Sequence, residues 1–300
     1  MRSNRPFSRS CIKIAVRLLL GRSRAHVQDW FPGLKIERAT ADRKGAIRYR
    51  GKLVGHLTSS RALEAKSSRV LIVGSGPSIA QCDLTRAEEY SCLLLNGAVH
   101  LFPAVIAKPL AVAIEDERFV WRHFDLMKRI PAGCVCLLSV SVIRAICELD
   151  STWLRDKPII LIDNLRKPYG LPRRDAAELR KRSHVRLSED GAIGFSEDPS
   201  AGIFQAGSVA VSATQFAVAW KPRVIGFVGI DISNADEPRY YETTDKAYSG
   251  IITAQKWIID HLVMARSIAV ESGIEIANYS PVSALIEVGF GYDPTFAKTD

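Results

Sequence analysis

From residue 69 onward the chain alternates between two kinds of pattern. Short unbroken apolar runs lie at 70–73, 92–95, 110–114, 134–138, 159–162, 224–229 and 274–277. Longer stretches with helical spacing lie between several of them, at 118–129, 141–149, 207–220 and 251–272. A strand buried on both faces reads as a continuous apolar run, and helices must then cover both faces of its sheet. Strands alternating with helices predict an α/β fold, a Rossmann-like, doubly wound and mostly parallel sheet. Ligands of such sheets bind outside the carboxyl ends of the strands, which is where chemistry is to be sought.

The first 66 residues follow other rules. Residues 35–58 alternate loosely about Lys44-Gly45, as a hairpin does. Residues 11–20, CIKIAVRLLL, are too short to span a bilayer and lack a small-residue cleavage site after them. On a helix, Lys13 and Arg17 share one face, and Ile12, Val16 and Leu19 share another. The expected organisation is therefore a basic amphipathic arm (1–30), a small hairpin-like appendage (31–66) and a nucleotide-binding domain (67–300). Segment 164–205, rich in Arg, Lys, Gly and Pro, breaks the domain's rhythm and predicts a lid-like insertion. Its basic cluster (Arg173, Arg174, Arg180, Lys181, Arg182) is either an acceptor-binding surface or a solvated helix face.

With 47% apolar and 24% charged residues the chain is ordinary globular material. The net charge of +9 changes less than it promises. Residues 1–24 hold seven basic side chains and no acid, leaving only +2 for the rest. With no aromatic-basic platform either, nucleic acid is not an expected partner. The arm instead suits an anionic membrane surface, where each basic group contributes about 1 kcal/mol. A disordered arm and a first helix packed on the domain are the plainer readings. No run of 18 apolar residues occurs, so no spanning helix is expected. The six cysteines (Cys11, Cys82, Cys92, Cys134, Cys136, Cys147) have no zinc spacing and read as free, buried thiols in a reducing cytoplasm. A cytoplasmic protein, peripheral on the inner face of the cytoplasmic membrane if the arm binds there, is the expectation; a homo-oligomer is left open.

The strand ends carry the candidate chemistry. The first run ends in Gly74-Ser75-Gly76-Pro77-Ser78. Glycines allow close approach to the backbone, Pro77 suits a first helical position, and helix N-terminal amides attract phosphate. Ile79 stands where a GxGxxG fingerprint needs glycine, and no GK[ST] follows. The second run ends at Asn96, a turn former or a ligand contact. The third ends in Glu115-Asp116-Glu117, a solvated helix start or a ligand-binding tip. A later run places Gly229 and Asp231 at another tip. No D-x-D pair exists, so no metal-clamped donor site and no cofactor is expected.

In this order the residues resemble the bacterial lipooligosaccharide sialyltransferases, which use CMP-sialic acid. VLIVGSGPSI with Asn96 eighteen residues after Ser78 is similar to that family's opening, an apolar strand, G-N-G-P-S-L and a second strand ending in asparagine. Ser75 departs from it. AVAIEDE resembles a strand that ends in a ligand-binding asparagine, and Glu115 stands at that place. GSVAVSATQFAVAWKPRVIGFVGIDIS, which contains Gly207, Ser208, Gly229 and Asp231, resembles a helix-strand block ending in G-I-D. IEIANYSPVSALIE resembles the nucleotide-holding turn, with Ser280, Pro281 and Ser283. The match runs over roughly 69–290. GxGPS also occurs in the hydroxymethylpterin pyrophosphokinase-like family.

The resemblance implies direct displacement of CMP by an acceptor hydroxyl, without a metal. Two tyrosines of the family steady the leaving phosphate; the first falls on Ser233, the second near Tyr240 and Tyr241, which are otherwise loop-packing residues. The family's histidine base falls on Lys256, with His261 five residues on, and Glu115 or Asp116 are alternative bases. The expected partners are then a nucleotide-sugar donor and a glycan or glycolipid acceptor. An ATP-dependent pyrophosphokinase and an inactive scaffold at the membrane are the rival readings.

Overall fold

The computed structural model describes residues 6–62, 67–232 and 251–298. Each of the seven apolar runs forms a strand: β4 (Arg69–Val73), β5 (Cys92–Leu95), β6 (Ala111–Ile114), β7 (Cys136–Ser139), β8 (Ile159–Ile162), β11 (Val224–Val228) and β12 (Glu275–Asn278). Upstream lie β1 (Leu34–Glu37), β2 (Gly45–Tyr49) and β3 (Lys52–Leu57); the insertion holds β9 (Val185–Leu187) and β10 (Gly194–Ser196). The main sheet has ten strands in the order β1-β2-β3-β8-β7-β6-β5-β4-β11-β12. From β8 to β12 every neighbouring pair is parallel.

Alternation explains the unbroken apolar runs. In β4, Leu71 and Val73 enter one core, while Val70 and Ile72 enter the other. The first core is covered by α2 (Glu117–Met127) and α3 (Val140–Asp150), through residues such as Val120, Met127, Val142 and Ile146. The second is covered by α5 (Val209–Ala219) and α6 (Ile251–Glu271), through Phe216, Ile258 and Leu262. Chain connections on the first face run outward from β4 to β8, and those on the second return to β11. The winding therefore reverses between β4 and β11, the switch point at which such sheets place ligands.

The segment before the domain is continuous with it. β1, β2 and β3 form an antiparallel meander, and Leu57 of β3 pairs in parallel with Ile159 of β8. Arg38 forms an ion pair with the buried Asp163 at the end of β8. The arm is an ordered helix, α1 (Phe7–Leu20), followed by a 3-10 segment at Arg22–Asp29. Its Arg9 is only 2% exposed and donates to the carbonyls of Gln28 (2.5 Å) and Phe31 (3.1 Å). The arm is thus an ordered helix packed on the domain, which corrects the disordered reading and leaves its outer face exposed. The cysteines are all free, but Cys11 is exposed and Cys134 half-buried, so the expectation of uniformly buried thiols is corrected. Cys11 sits on the outer side of α1, away from the packed Arg9 and Val16.

Candidate active site

At the switch point the glycine-rich turn meets the end of β11. Ser78 donates its amide to Asp231 Oδ2 (2.6 Å) and its hydroxyl to Oδ1 (2.5 Å). Ser280 Oγ accepts the Gly229 amide (2.7 Å) and lies 3.0 Å from Ser78 Oγ. Since the Ser78 proton goes to the carboxylate, the Ser280 hydroxyl is the donor between them. Asn278 holds Ser280 in place, accepting its amide at 3.1 Å and donating to its carbonyl at 3.0 Å. This clasp ties β4, β11 and β12 at their carboxyl ends.

The glycines serve this contact. A Cβ on Gly76 would lie 2.5 Å from Asp231 Oδ2, and one on Gly229, at φ +65°, would lie 2.5 Å from Ile79. A Cβ on Gly74 would overlap the Gly229 carbonyl oxygen, so backbone approaches backbone here, where the sequence suggested backbone approaching a ligand. The expected helix after the turn is a 3-10 turn, Pro77–Gln81, and the Ser78 amide is already given to Asp231. The reading of this turn as a bare phosphate-binding helix N-terminus is corrected accordingly. Ser75, buried, stands within the same turn. Ser283 also has an internal role, donating to the Ile230 carbonyl (2.9 Å), and Pro281 lies half-buried between Ser280 and Ser283.

A second constellation lies two strands away. Glu115, at the end of β6, accepts from the hydroxyl of Ser212 on α5 and from the Gln205 side chain. Gln205 in turn accepts from Asn164 Nδ2 (2.7 Å), which follows β8. Desolvation pushes the Glu115 carboxyl up from its ordinary 4.5 to about 7. The Asp116 charge adds to the rise, and the hydrogen bonds from Ser212 and Gln205 oppose it. Beside it, at the end of β5, Asn96 adopts φ +42°, and its enclosed Oδ1 has no hydrogen-bond partner. An enclosed acceptor left unpaired costs about 1–3 kcal/mol, which a donor group could recover. Among the described residues no cluster of three or more His, Cys, Asp or Glu could hold a metal.

The other candidates divide. Asp116 caps α2, accepting the Arg118 amide (2.9 Å), and is also paired with the Arg118 guanidinium at 2.6 Å. Its carboxylate oxygens are thus engaged at the start of its own helix. Ser208 caps α5 by accepting the Ala210 amide (3.3 Å), and Gly207, at φ +80°, packs against Ala254. His261 is 2% exposed within α6, with Nδ1 2.8 Å from the Trp257 carbonyl of its own helix. Burial holds its pKa below the ordinary value, with Arg166 acting in the same direction. Nδ1 donates to the Trp257 carbonyl, which leaves Nε2 as the unprotonated nitrogen of a ring enclosed within the helix packing. Lys256 is exposed on the same helix and paired with Asp260. Tyr240, Tyr241 and Ser233 lie outside the described residues.

Sequence reasoning missed Asn164, Gln205, Ser212 and Asn278. Ser212 stood within the helix-strand block that carried the resemblance, four positions after Ser208. Gln205 and Asn164 lie at the two ends of the irregular segment, where no periodicity marks them.

The insertion is built around a small core of Leu165, Leu179 and Phe204. It contains α4 (Ala176–Arg180), closed by a capping box between Asp175 and Glu178, and the β9-β10 hairpin. Its basic cluster is partly used internally. Arg174 donates to the Leu165 carbonyl, and Arg180 to those of Ser188 and Glu189. Arg173 instead faces the arm.

Fold and site together define a doubly wound α/β protein with polar side chains gathered at the carboxyl edge of its sheet. No family model matches the chain, and no curated protein matches it in sequence. Among solved structures it is similar to the monofunctional α-2,3-sialyltransferase Cst-I from Campylobacter jejuni, at 14% identity over 78% of this chain and 83% of that one, with a TM-score of 0.43. It is also similar to the sialyltransferase CstII from Campylobacter jejuni, solved in complex with CMP-3FNeuAc, at 12% identity over 77% and 91% of the two chains, with a TM-score of 0.40.

Proposed function

We propose that this protein is a glycosyltransferase that moves an acidic sugar, sialic acid or Kdo, from a CMP-activated donor to a cell-surface glycan such as a lipopolysaccharide core. The supporting observation is convergence. Gly74–Ser78, Asn96, Glu115, Gly229–Asp231 and Ser280 are scattered over more than two hundred residues, yet stand at the carboxyl ends of the neighbouring strands β6, β5, β4, β11 and β12. They lie in the segments that carry the resemblance to lipooligosaccharide sialyltransferases, with Ser75 and Glu115 standing where that family has asparagine.

In this reading the Ser78–Asp231–Ser280 clasp fixes the rim of the donor site, and Asn96 offers its unpartnered amide oxygen to a donor group. Glu115 is the general base. A carboxylate that titrates near 7 is matched to removing a hydroxyl proton at neutral pH. The acceptor oxygen bonds to the anomeric carbon, the bond from that carbon to the CMP phosphate oxygen breaks, and the acceptor proton passes to Glu115. Tyr240 and Tyr241 are assigned, from the sequence, to hydrogen-bonding the departing phosphate. The reading needs no metal.

The test is CMP release from CMP-sialic acid and from CMP-Kdo, in EDTA, by the wild-type protein and by Glu115→Gln. Release by the wild type, lowered by about a hundredfold or more in the variant, is the expected result. ATP cleavage that needs magnesium, with no CMP release, would turn the reading into the pyrophosphokinase. Neither activity would leave a scaffold.

A further inference from the structure

Between the arm and the insertion lies a cavity of about 430 Å³. Lys13 and Arg17 from α1, Arg22 after it, and Lys167 and Arg173 from the insertion line it, with Asp29 as its one acid. None of the five cations is in an ion pair among the described residues. The two walls are joined by neutral backbone bonds. Arg173 donates its amide to the Ser23 carbonyl (3.0 Å), and His26 Nε2 donates to the carbonyls of Pro168 (3.1 Å) and Leu171 (2.9 Å). The fold thus holds five like charges together against the single acid Asp29. Burial, reinforced by Arg173, keeps Lys167 below its ordinary range, and burial also lowers His26.

His26 gives a second, independent sign. It is 4% exposed and lines the cavity. Its Nε2 carries the proton shared between two carbonyls, and its Nδ1 has no partner. A bound anion would let Nδ1 take up a proton and donate it in a hydrogen bond.

The same helix shows a third. α1 packs through Arg9 and Val16, and the opposite side carries Phe7, Cys11, Ile14 and Leu18 at helical spacing. Phe7 is 83%, Ile14 61% and Leu18 79% exposed. Each basic residue that α1 gives to the cavity is followed in sequence by one of these, Lys13 by Ile14 and Arg17 by Leu18. A soluble phosphate would use the cations and leave the apolar stripe in water. An anionic phospholipid uses both, its phosphate among the cations and its acyl chains against the stripe.

We propose that the cavity between α1 and the insertion is a headgroup site for anionic phospholipid, and that α1 lies in the membrane surface with Phe7, Ile14 and Leu18 among the acyl chains. The proposal does not depend on the glycosyltransferase reading, since none of the residues assigned to that reading lines the cavity.

Vesicle sedimentation tests it, comparing phosphatidylcholine with and without phosphatidylglycerol. The full chain, Lys13→Glu/Arg17→Glu and Ile14→Ser/Leu18→Ser are to be measured, with and without inorganic phosphate. All four positions are exposed, and an unchanged melting temperature checks that the variants fold. The expected result is binding only to phosphatidylglycerol vesicles, weakened about tenfold or more in each double variant. Absence of vesicle binding, or equal binding to both vesicles, would overturn the proposal. So would loss in the charge variant alone, with inorganic phosphate displacing the protein, since that pattern marks a soluble phosphate site.

Discussion

Glu115 has a double life that can be measured. Between about pH 4.5 and 7 the folded protein keeps a proton on this carboxyl that the unfolded chain has released. Its contribution to stability is therefore full below about 4.5 and is lost as pH rises through about 7. The melting temperature of the wild type relative to Glu115→Gln is expected to fall across that window; a flat difference would contradict the assignment. Activity should move the opposite way, rising with pH through about 7 as the base ionises. Ser212 opposes the upward shift, so Ser212→Ala is expected to move the inflection of the rate profile to higher pH, an effect that general destabilisation would not produce. At the clasp, Asp231→Asn replaces a carboxylate that accepts two bonds from Ser78, and a loss of about 2 kcal/mol in urea denaturation is expected. Sequence patterns identified Asp231, Ser78 and Ser280 without revealing that they bind one another. Such partners lie 153 and 202 residues apart, and only the closing of β4 against β11 and β12 brings them together.

The elements were the most legible level, because burial on both faces of a parallel sheet writes itself as apolar runs. Each expected strand from β4 to β12 was found, with its edges shifted by at most two residues. The helices α2, α3, α5 and α6 were equally plain. Caps place their starts: Ser139 accepts the Val142 amide (3.3 Å) at α3 and Ser208 accepts the Ala210 amide (3.3 Å) at α5. Ser208→Ala is expected to cost about 1 kcal/mol by thermal unfolding. Ser139 also donates to the Glu115 carbonyl (2.8 Å), so its replacement should disturb the pH profile as well as stability, whereas Ser208→Ala should leave the profile alone. The 3-10 turn after Gly76 was not legible. Its short length follows from the Asp231 contact, a long-range effect that local propensity does not encode.

At the scale of the molecule, the arm and the β1–β3 meander belong to one body with the sheet. Their attachment was hidden from pattern reading because β3 and β8 are about a hundred residues apart, and because no sequence pattern marks Arg9 and Arg38 as buried contacts. In fact Arg9 is buried near Glu117, and Arg38 reaches the buried Asp163. Leu57, 1% exposed, sits at the junction. Leu57→Ala is expected to lower stability by about 2–5 kcal/mol within a single unfolding transition; two separate transitions would show that the meander folds apart from the sheet. No helix among the described residues is long and apolar enough to cross a membrane.

The central claim, a cytidine nucleotide at the carboxyl edge of the sheet, is tested most directly by titrating CMP, ATP and NAD in EDTA and following the melting temperature. A ligand at about a hundred times its dissociation constant stabilises the native state by about 2.7 kcal/mol, a shift of several degrees. The account predicts that shift with CMP alone. No shift with CMP, and one with ATP once magnesium is restored, would contradict it.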